Sequence, residues 1–348
     1  MTRVAAPPSG QPSEHRSLVA PADAAGQRVD VALSRIAPDL SRARARKLLD
    51  AGLVQVNGRP VRASARLRGG ERLDVEVPPP EPSGLVAQDL PLTVLHEDED
   101  LLVLDKAAGM VVHPARGAPH STVVNALLHR LGAGGAGGER IGLVHRLDKD
   151  TSGCLVVAKR EPAFAALQAA FKARDVAKTY LAICHGAPAD SGRFDTAYAR
   201  HPTDRTRFTS RVESARRALT EWVVRERFGD RASLVEIRLH TGRTHQIRVH
   251  FAEHGHPLLA DATYGGARRE ARLGEDDEVR RAAAALGRQA LHAWRLAFAH
   301  PRTGRMVEVE APIPSDLAAA LEVLRSASPP AGAARPRRGA PPRGTRRR

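Results

Sequence analysis

Residues 141–159, IGLVHRLDKDTSGCLVVAK, constrain the fold more than any other stretch of this chain. Two apolar runs, 141–144 and 155–158, flank a polar segment closed by Gly153, which reads as strand, tight loop, strand. Asp148 therefore sits where a sheet hands its chain to solvent, between an Arg-Leu pair and a lysine. No neighbouring histidine, cysteine or second acid has an obvious part in helping it.

The remainder is organised around a Pro-rich break, PPPEPSG at 78–84. With 348 residues the chain can bury a full core and is expected to hold two domains plus tails. Residues 1–20 are rich in Pro, Gly, Ser and Ala and are expected to be unstructured. A first domain is placed at 21–80. In it Val29, Leu33 and Ile36 fall at helical spacing. Ser41 then opens a second helix, turning Ala45, Leu48 and Leu49 inward and Arg42, Arg44, Arg46 and Lys47 outward. Asn57-Gly58 joins a hairpin, and RLDVEV alternates as a further strand. From 86 to 326 strands (LTVLHED, DLLVLDK, GLVHRL, CLVVAK, SLVEIRLH, MVEVEAP) mix with helices (STVVNALLHRL, PAFAALQAAFKAR, THQIRVHFAEHG, RRAAAALGRQ). Regular crossover helices are missing from that pattern, so the class expected is α+β, with a mixed, mainly antiparallel sheet and a small N-terminal α/β domain. Residues 327–348 form a Pro/Arg tail expected to be unstructured.

The net charge is +15. Residues 27–77 carry eleven Arg/Lys against six Asp/Glu, and the last fourteen residues carry seven Arg and no acid, so twelve of the fifteen charges lie at the two ends. A polyanionic partner is implied, with a nearly balanced middle of the kind an enzyme core has. No apolar run reaches the roughly 18 residues of a membrane span, and the N-terminus lacks a signal-peptide core, so a cytoplasmic protein with no membrane partner is expected. Cys154 and Cys184, the two cysteines, read as packing residues.

The first domain resembles the S4 RNA-binding domain over roughly 27–78, in the pattern Ser-Arg-x-Arg-x-x-Lys-Leu-Leu-x-x-Gly-x-Val-x-Val-Asn-Gly. A basic helix beside a hairpin makes a phosphate-contacting surface. Ser41, Arg42, Arg44, Lys47 and Asn57 are its candidate RNA contacts.

Three chemistries compete for Asp148. A glycosidase would pair it with Asp150, but an Asp ahead of Thr-Ser-Gly usually caps a turn. A metal site would draw on His240, His245, His250, His254 and His256. On a helix over 244–254 only His250 and His254 share a face, without a zinc-type spacing, so no metal is expected. The third is a carboxylate nucleophile kept ionised by an arginine, acting on an activated glycosidic carbon without metal or cofactor.

Here the resemblance is to a family. HRLDKDTSG with VVAK after it, AKTYLA (177–182), TGRTHQIRVH (241–250) and GHPLLADATYG (255–265) match the RluA-type pseudouridine synthases, motif after motif in order. RHPTDRTRF (200–208) and RQALHAWRLAFAHPRTG (288–304) are similar to the branch acting on large-subunit ribosomal RNA. One departure is Ala107 in LDKAAGMVVHP, where the family usually has proline; it bears on loop stiffness. The resemblance implies that Asp148 is the catalytic aspartate, Tyr180 the tyrosine that stacks on the base and takes the C5 proton, and Arg248 the partner of the aspartate. It also implies that Arg146 fills the space left by the flipped uridine. Ile247 walls the pocket, and Arg243 has a phosphate or structural role. The activity implied is isomerisation of uridine to pseudouridine in large-subunit rRNA by a monomer with no cofactor. Attack at C1′, attack at C6 and a glycal route all stay open. The uridines implied are those in the stem-loop that faces the decoding centre. A non-catalytic RNA-binding or ribosome-assembly protein is the rival reading.

Overall fold

The computed structural model describes residues 13–37, 39–40, 42–78, 85–114, 118–132, 136 and 141–327. The chain divides into two compact units, the second beginning at Leu85.

The first unit carries helices α1 (Val29–Ile36) and α2 (Arg42–Asp50) and strands β1 (Glu14–Val19), β2 (Val54–Val56), β3 (Arg59–Pro60) and β4 (Arg72–Val77), ordered β1-β4-β2-β3 in one sheet. Asn57 and Gly58 have φ of 50° and 75°, the left-handed pair of a type I′ turn that the Asn-Gly dipeptide favours. Burial of Val29, Leu33, Ala45, Leu48 and Leu49 with Val54, Leu73 and Val75 makes a small core. Two expectations need correction. Residues 14–19, assigned to an unstructured segment, pair along their whole length with β4, because HRSLV offers β4 an edge partner that composition alone concealed. Arg44 does not project outward; it is half-buried and donates to the Pro78 carbonyl at 3.0 Å. Ser41, residues 1–12 and the tail from 328 onward lie outside the described residues.

The second unit runs β5 (Thr93–Glu97), β6 (Leu101–Lys106), α3 (Val123–Leu131), β7 (Ser152–Ala158), α4 (Glu161–Ala173), β8 (Ala177–His185), β9 (Ser191–Arg200), β10 (Phe208–Thr209), β11 (Arg216–Phe228), β12 (Ala232–Leu239), α5 (Gln246–Glu253), α6 (Gly266–Glu270), α7 (Glu278–Leu286), β13 (Leu291–Ala299), β14 (Met306–Glu310) and α8 (Ser315–Ala327). Its ten-stranded sheet is ordered β10-β9-β11-β12-β8-β13-β7-β6-β5, with β14 added on β13. Among the described residues only β7 and β13 pair in parallel, so the mixed, mainly antiparallel α+β class holds. Strand periodicity sorts the core: Leu102, Leu104, Leu155 and Val157 pack on Val123, Val124 and Leu127 of α3, while Leu101, Val103, Val156 and Ala158 pack with Phe164 and Leu167 of α4.

The apolar run at 141–144 is not a strand. Ile141 and Gly142 have φ of 46° and 76°, and contact with β7 shrinks to one bridge, Leu143 to Val157. The slot at Val156 N–H, which a neighbouring strand would fill, is taken by the ring of His145, whose Nε2 accepts at 3.0 Å. Helix α5 is also shorter than expected, because His245 at its N-cap is left-handed, with φ of 59° and ψ of 19°.

Candidate active site

Asp148 lies in the loop that enters β7, and buried groups fix that loop from both sides. Lys106, the last residue of β6, is 2% exposed and donates to the carbonyls of Ala107 (2.7 Å), Met110 (2.8 Å) and Lys149 (2.9 Å), matching its three donors to three acceptors. Burial brings its pKa down to about 8, against the pull of Asp150 and Asp148. From the other side the buried Arg288 donates to the Asp150 carbonyl (3.0 Å) and Ser152 Oγ (3.2 Å), while its fork grips Asp316 at the start of α8 (2.6 and 2.9 Å). At Gly153, φ +110°, a Cβ would lie 2.2 Å from the Ala293 carbonyl oxygen, so β13 closes against the loop only because no side chain is there.

The Asp148 side chain is 17% exposed and faces α5. Arg248 Nη1 reaches its Oδ2 at 3.3 Å, but the guanidinium is gripped more firmly by Asp261, through Nε to Oδ2 at 2.7 Å and Nη2 to Oδ1 at 3.0 Å. Asp261 is fully buried and also accepts from the N–H groups of Thr263 and Tyr264. Burial opposes the charge on Arg248, yet the Asp261 hydrogen bonds and the two carboxylates outweigh it and raise its pKa. The site is thus one cation between two acids, the deeper acid orienting the arginine and the shallower one sharing it. Among the described residues Asp148 Oδ1 has no hydrogen-bond partner.

Asp148 opens on a cavity of about 580 Å³ that Arg146, Tyr180, Arg243 and Ile247 also line. Five of the six expected pocket residues therefore share one wall system, and the sixth, Arg248, stands behind Asp148. Tyr180, from β8, is 7% exposed; burial first and Asp148 second push its phenol above the ordinary tyrosine value, so it is neutral at neutral pH. Ile247 is 3% exposed. Arg146 is exposed at the mouth, and Lys172, Arg174 and Lys178 add three more cations to the lining. Arg243 is in no ion pair among the described residues; its Nε donates to the Arg217 carbonyl at 3.4 Å, and burial with Arg216 and Arg174 nearby lowers its pKa. A volume within the roughly 300–1,000 Å³ of ligand sites, with a cationic rim and a carboxylate oxygen at its floor, suits an anionic ligand carrying an electrophilic centre.

The five clustered histidines go to separate partners. His240 meets Glu221 (2.7 Å), His245 meets Tyr264 (2.9 Å), His250 sits between Thr196 and Thr220, His254 bonds the His250 carbonyl and His256 that of His185. Sequence reasoning missed Asp261, Lys106 and Arg288. Asp261 lies in GHPLLADATYG, where an Asp before Ala-Thr signals a turn. Lys106 ends an apolar strand, an unusual place for a lysine. Nothing local marks Arg288. In the first unit Arg42 keeps 60% of its side chain exposed and reaches the buried Asp30 at 3.2 Å; Lys47 is exposed; Asn57 Oδ1 accepts from Arg72 N–H at 2.9 Å and braces the hairpin.

Comparison with known proteins adds the family. Residues 100–253 match the RNA pseudouridylate synthase family and residues 27–73 the S4 domain. The chain is 43% identical to a ribosomal large subunit pseudouridine synthase D from Xanthomonas campestris pv. campestris over 316 residues, 91% of this chain and 94% of that protein. It is 40% identical to the protein of that name from Haemophilus ducreyi, over 88% of this chain and 93% of that one. Among solved structures, human RNA Pseudouridylate Synthase Domain Containing 1 matches with a TM-score of 0.51 and 30% identity, covering 67% of this chain and 89% of that one. With relatives at this identity aligned over nearly its whole length, the chain belongs to the RNA pseudouridine synthase family.

Proposed function

We propose that this chain isomerises uridines of large-subunit ribosomal RNA to pseudouridine, with Asp148 as the nucleophile. The observation that carries the reading is the Asp148 carboxylate, which lines the cavity: Oδ2 is shared with the buried Arg248, and Oδ1 has no partner among the described residues. A carboxylate placed in this way can act on a nucleotide swung out of its stack, a movement costing a few kcal/mol and least in loops. The N1–C1′ bond breaks, the uracil turns, C5 bonds to C1′ with Asp148 released, and the proton lost from C5 is balanced by one taken up at N1. Tyr180 offers its ring face to the base. Its raised phenol makes it a neutral O–H donor in the resting site, so it can relay the C5 proton only by passing its own proton on as it takes the other. Arg146 occupies the gap left in the RNA, Ile247 walls the base, and Arg243 with the other rim cations takes backbone phosphate. The first unit holds the RNA through Arg42, Lys47 and neighbouring side chains.

The large-subunit substrate is supported by the names of the two bacterial relatives and by RHPTDRTRF and RQALHAWRLAFAHPRTG. The stem-loop facing the decoding centre is the proposed target. Ribosomal RNA from a strain lacking this protein should miss pseudouridine in that loop and regain it with the wild-type gene but not with Asp148→Asn. A loop fully modified in the deletion strain would overturn the substrate assignment.

A further inference from the structure

His245 lies beside Asp148, and the chemistry above has no use for it. It sits at the N-cap of α5 in the left-handed region, where residues other than glycine are uncommon. That backbone carries its ring over the catalytic carboxylate, with Nε2 3.9 Å from Asp148 Oδ2. Its other nitrogen, Nδ1, lies 2.9 Å from the Tyr264 hydroxyl.

Hydrogen-bond accounting fixes the tautomer. The Tyr264 oxygen already accepts the backbone N–H of Phe208 at 3.1 Å, and Tyr264 is 5% exposed. Its own O–H needs an acceptor, and among the described residues the available one is His245 Nδ1. Were Nδ1 protonated instead, two donors would meet the hydroxyl oxygen and the buried O–H would be left unsatisfied, a costly arrangement. Nδ1 is therefore bare and Nε2 carries the hydrogen. Burial lowers the His245 pKa, although Asp148 opposes the shift, so the ring is neutral at neutral pH. A neutral N–H thus points toward the oxygen that Arg248 also approaches. At 3.9 Å it makes no hydrogen bond in the resting site, but catalytic contacts commonly tighten once substrate is bound.

We propose that His245 is a positioning residue for Asp148: its Nε2–H, held in that tautomer by Tyr264, closes on Oδ2 when RNA fills the cavity and so presents Oδ1 to the nucleotide. The inference rests on Asp148 being the nucleophile. Two donors on one oxygen fix the rotation of the carboxylate, which Arg248 alone, committed mainly to Asp261, does not.

Two measurements on the full chain test this. In protein with isotopically labelled histidine nitrogens, the His245 signals are identified by their loss in His245→Gln. Nε2 should be protonated and Nδ1 bare at neutral pH, with the preference weakened in Tyr264→Phe. A protonated Nδ1 in the wild type overturns the proposal. In single-turnover pseudouridine formation at saturating RNA, His245→Asn suits the left-handed backbone but withdraws the donor. It should lower the rate on the order of 10²-fold while the half-saturating RNA concentration stays within about threefold. His245→Gln, whose amide reaches the place of Nε2, should recover at least about tenfold of that loss. Equal losses in the two variants, or a loss confined to half-saturation, would mean that the ring only packs. A wild type with no turnover would defeat the functional reading instead, and the nitrogen measurement, made without RNA, would still decide the Tyr264 contact.

Discussion

Helix α2 of the first unit and helix α5 of the second hold their arginines under opposite conditions. On α2, Arg42 and Arg46 keep 60% and 63% of their side chains exposed and meet single carboxylates at 3.2 and 3.6 Å. In the second unit Arg248 keeps 7% and is enclosed by two carboxylates. Exposed cations of the first kind interact through water and salt, each for at most about 1 kcal/mol, and can exchange one anion for another. A buried cation of the second kind cannot release its partner without leaving a charge stranded. The first arrangement suits gripping a backbone of any sequence; the second suits holding one carboxylate in one state.

Breaking the buried side should have the larger consequences. Asp148→Asn keeps the shape but removes the nucleophile, and turnover should fall by roughly 10⁴-fold or more with RNA affinity little changed. It would be followed by release of the C5 hydrogen from labelled uridine, and activity within tenfold of wild type would refute the assignment. Next comes Asp261→Asn, which strips Arg248 of its firmer partner. Stability should drop by about 3 kcal/mol, read as a lower urea midpoint, and turnover should fall with it; an unchanged midpoint would show that Asp148 alone suffices to hold the arginine.

Lys106 gives a smaller effect with a pH signature. Lys106→Met leaves three carbonyls without their donor and should cost about 1–3 kcal/mol at neutral pH. The folded lysine titrates near 8 and the unfolded one near its ordinary 10.5, so between those values the unfolded chain holds more protons. This group's contribution to stability therefore rises with pH across that window, by up to about 3 kcal/mol. The difference between wild type and variant should widen from pH 8 toward pH 10.5, and parallel curves would contradict the burial argument. Smallest is the exposed side: Arg42→Gln with Lys47→Gln should lower the salt slope of RNA binding by about 0.7–0.9 per lost phosphate contact while leaving turnover at saturating RNA unchanged. An unaltered slope would remove these two from the RNA grip.

The same division decides what could be read from sequence. The Asn57-Gly58 hairpin and the apolar faces of α1 and α2 were legible because each depends on neighbours a few residues away, whereas Arg44 was misplaced because its partner, Pro78, lies 34 residues on. Asp148, Tyr180, Arg146, Arg243 and Ile247 were singled out through motifs and line one cavity, while Arg248, singled out in the same way, stands behind Asp148. The run at 141–144 misled because apolar content says nothing about who supplies the hydrogen bonds, and here an imidazole answers β7. Asp261, Lys106 and Arg288 were illegible because the contact that ties each to the site is distant in sequence: Arg248 lies 13 residues from Asp261, Lys149 43 from Lys106 and Asp150 138 from Arg288. The strand at 14–19 was hidden in a segment whose average composition spoke louder than its alternation.

Arg288 has one more implication. Its guanidinium touches Asp150 and Ser152 with one edge and Asp316 with the other, so α8 is joined through this side chain to the loop that bears Asp148. A chain trimmed just before Ser315 would lose far more than a peripheral helix: it would leave a nearly enclosed guanidinium without its counter-charge against the backbone of the reacting loop. The working boundary of the enzyme at its C-terminal side therefore lies beyond α8, and any shortening or fusion should spare residues up to 327.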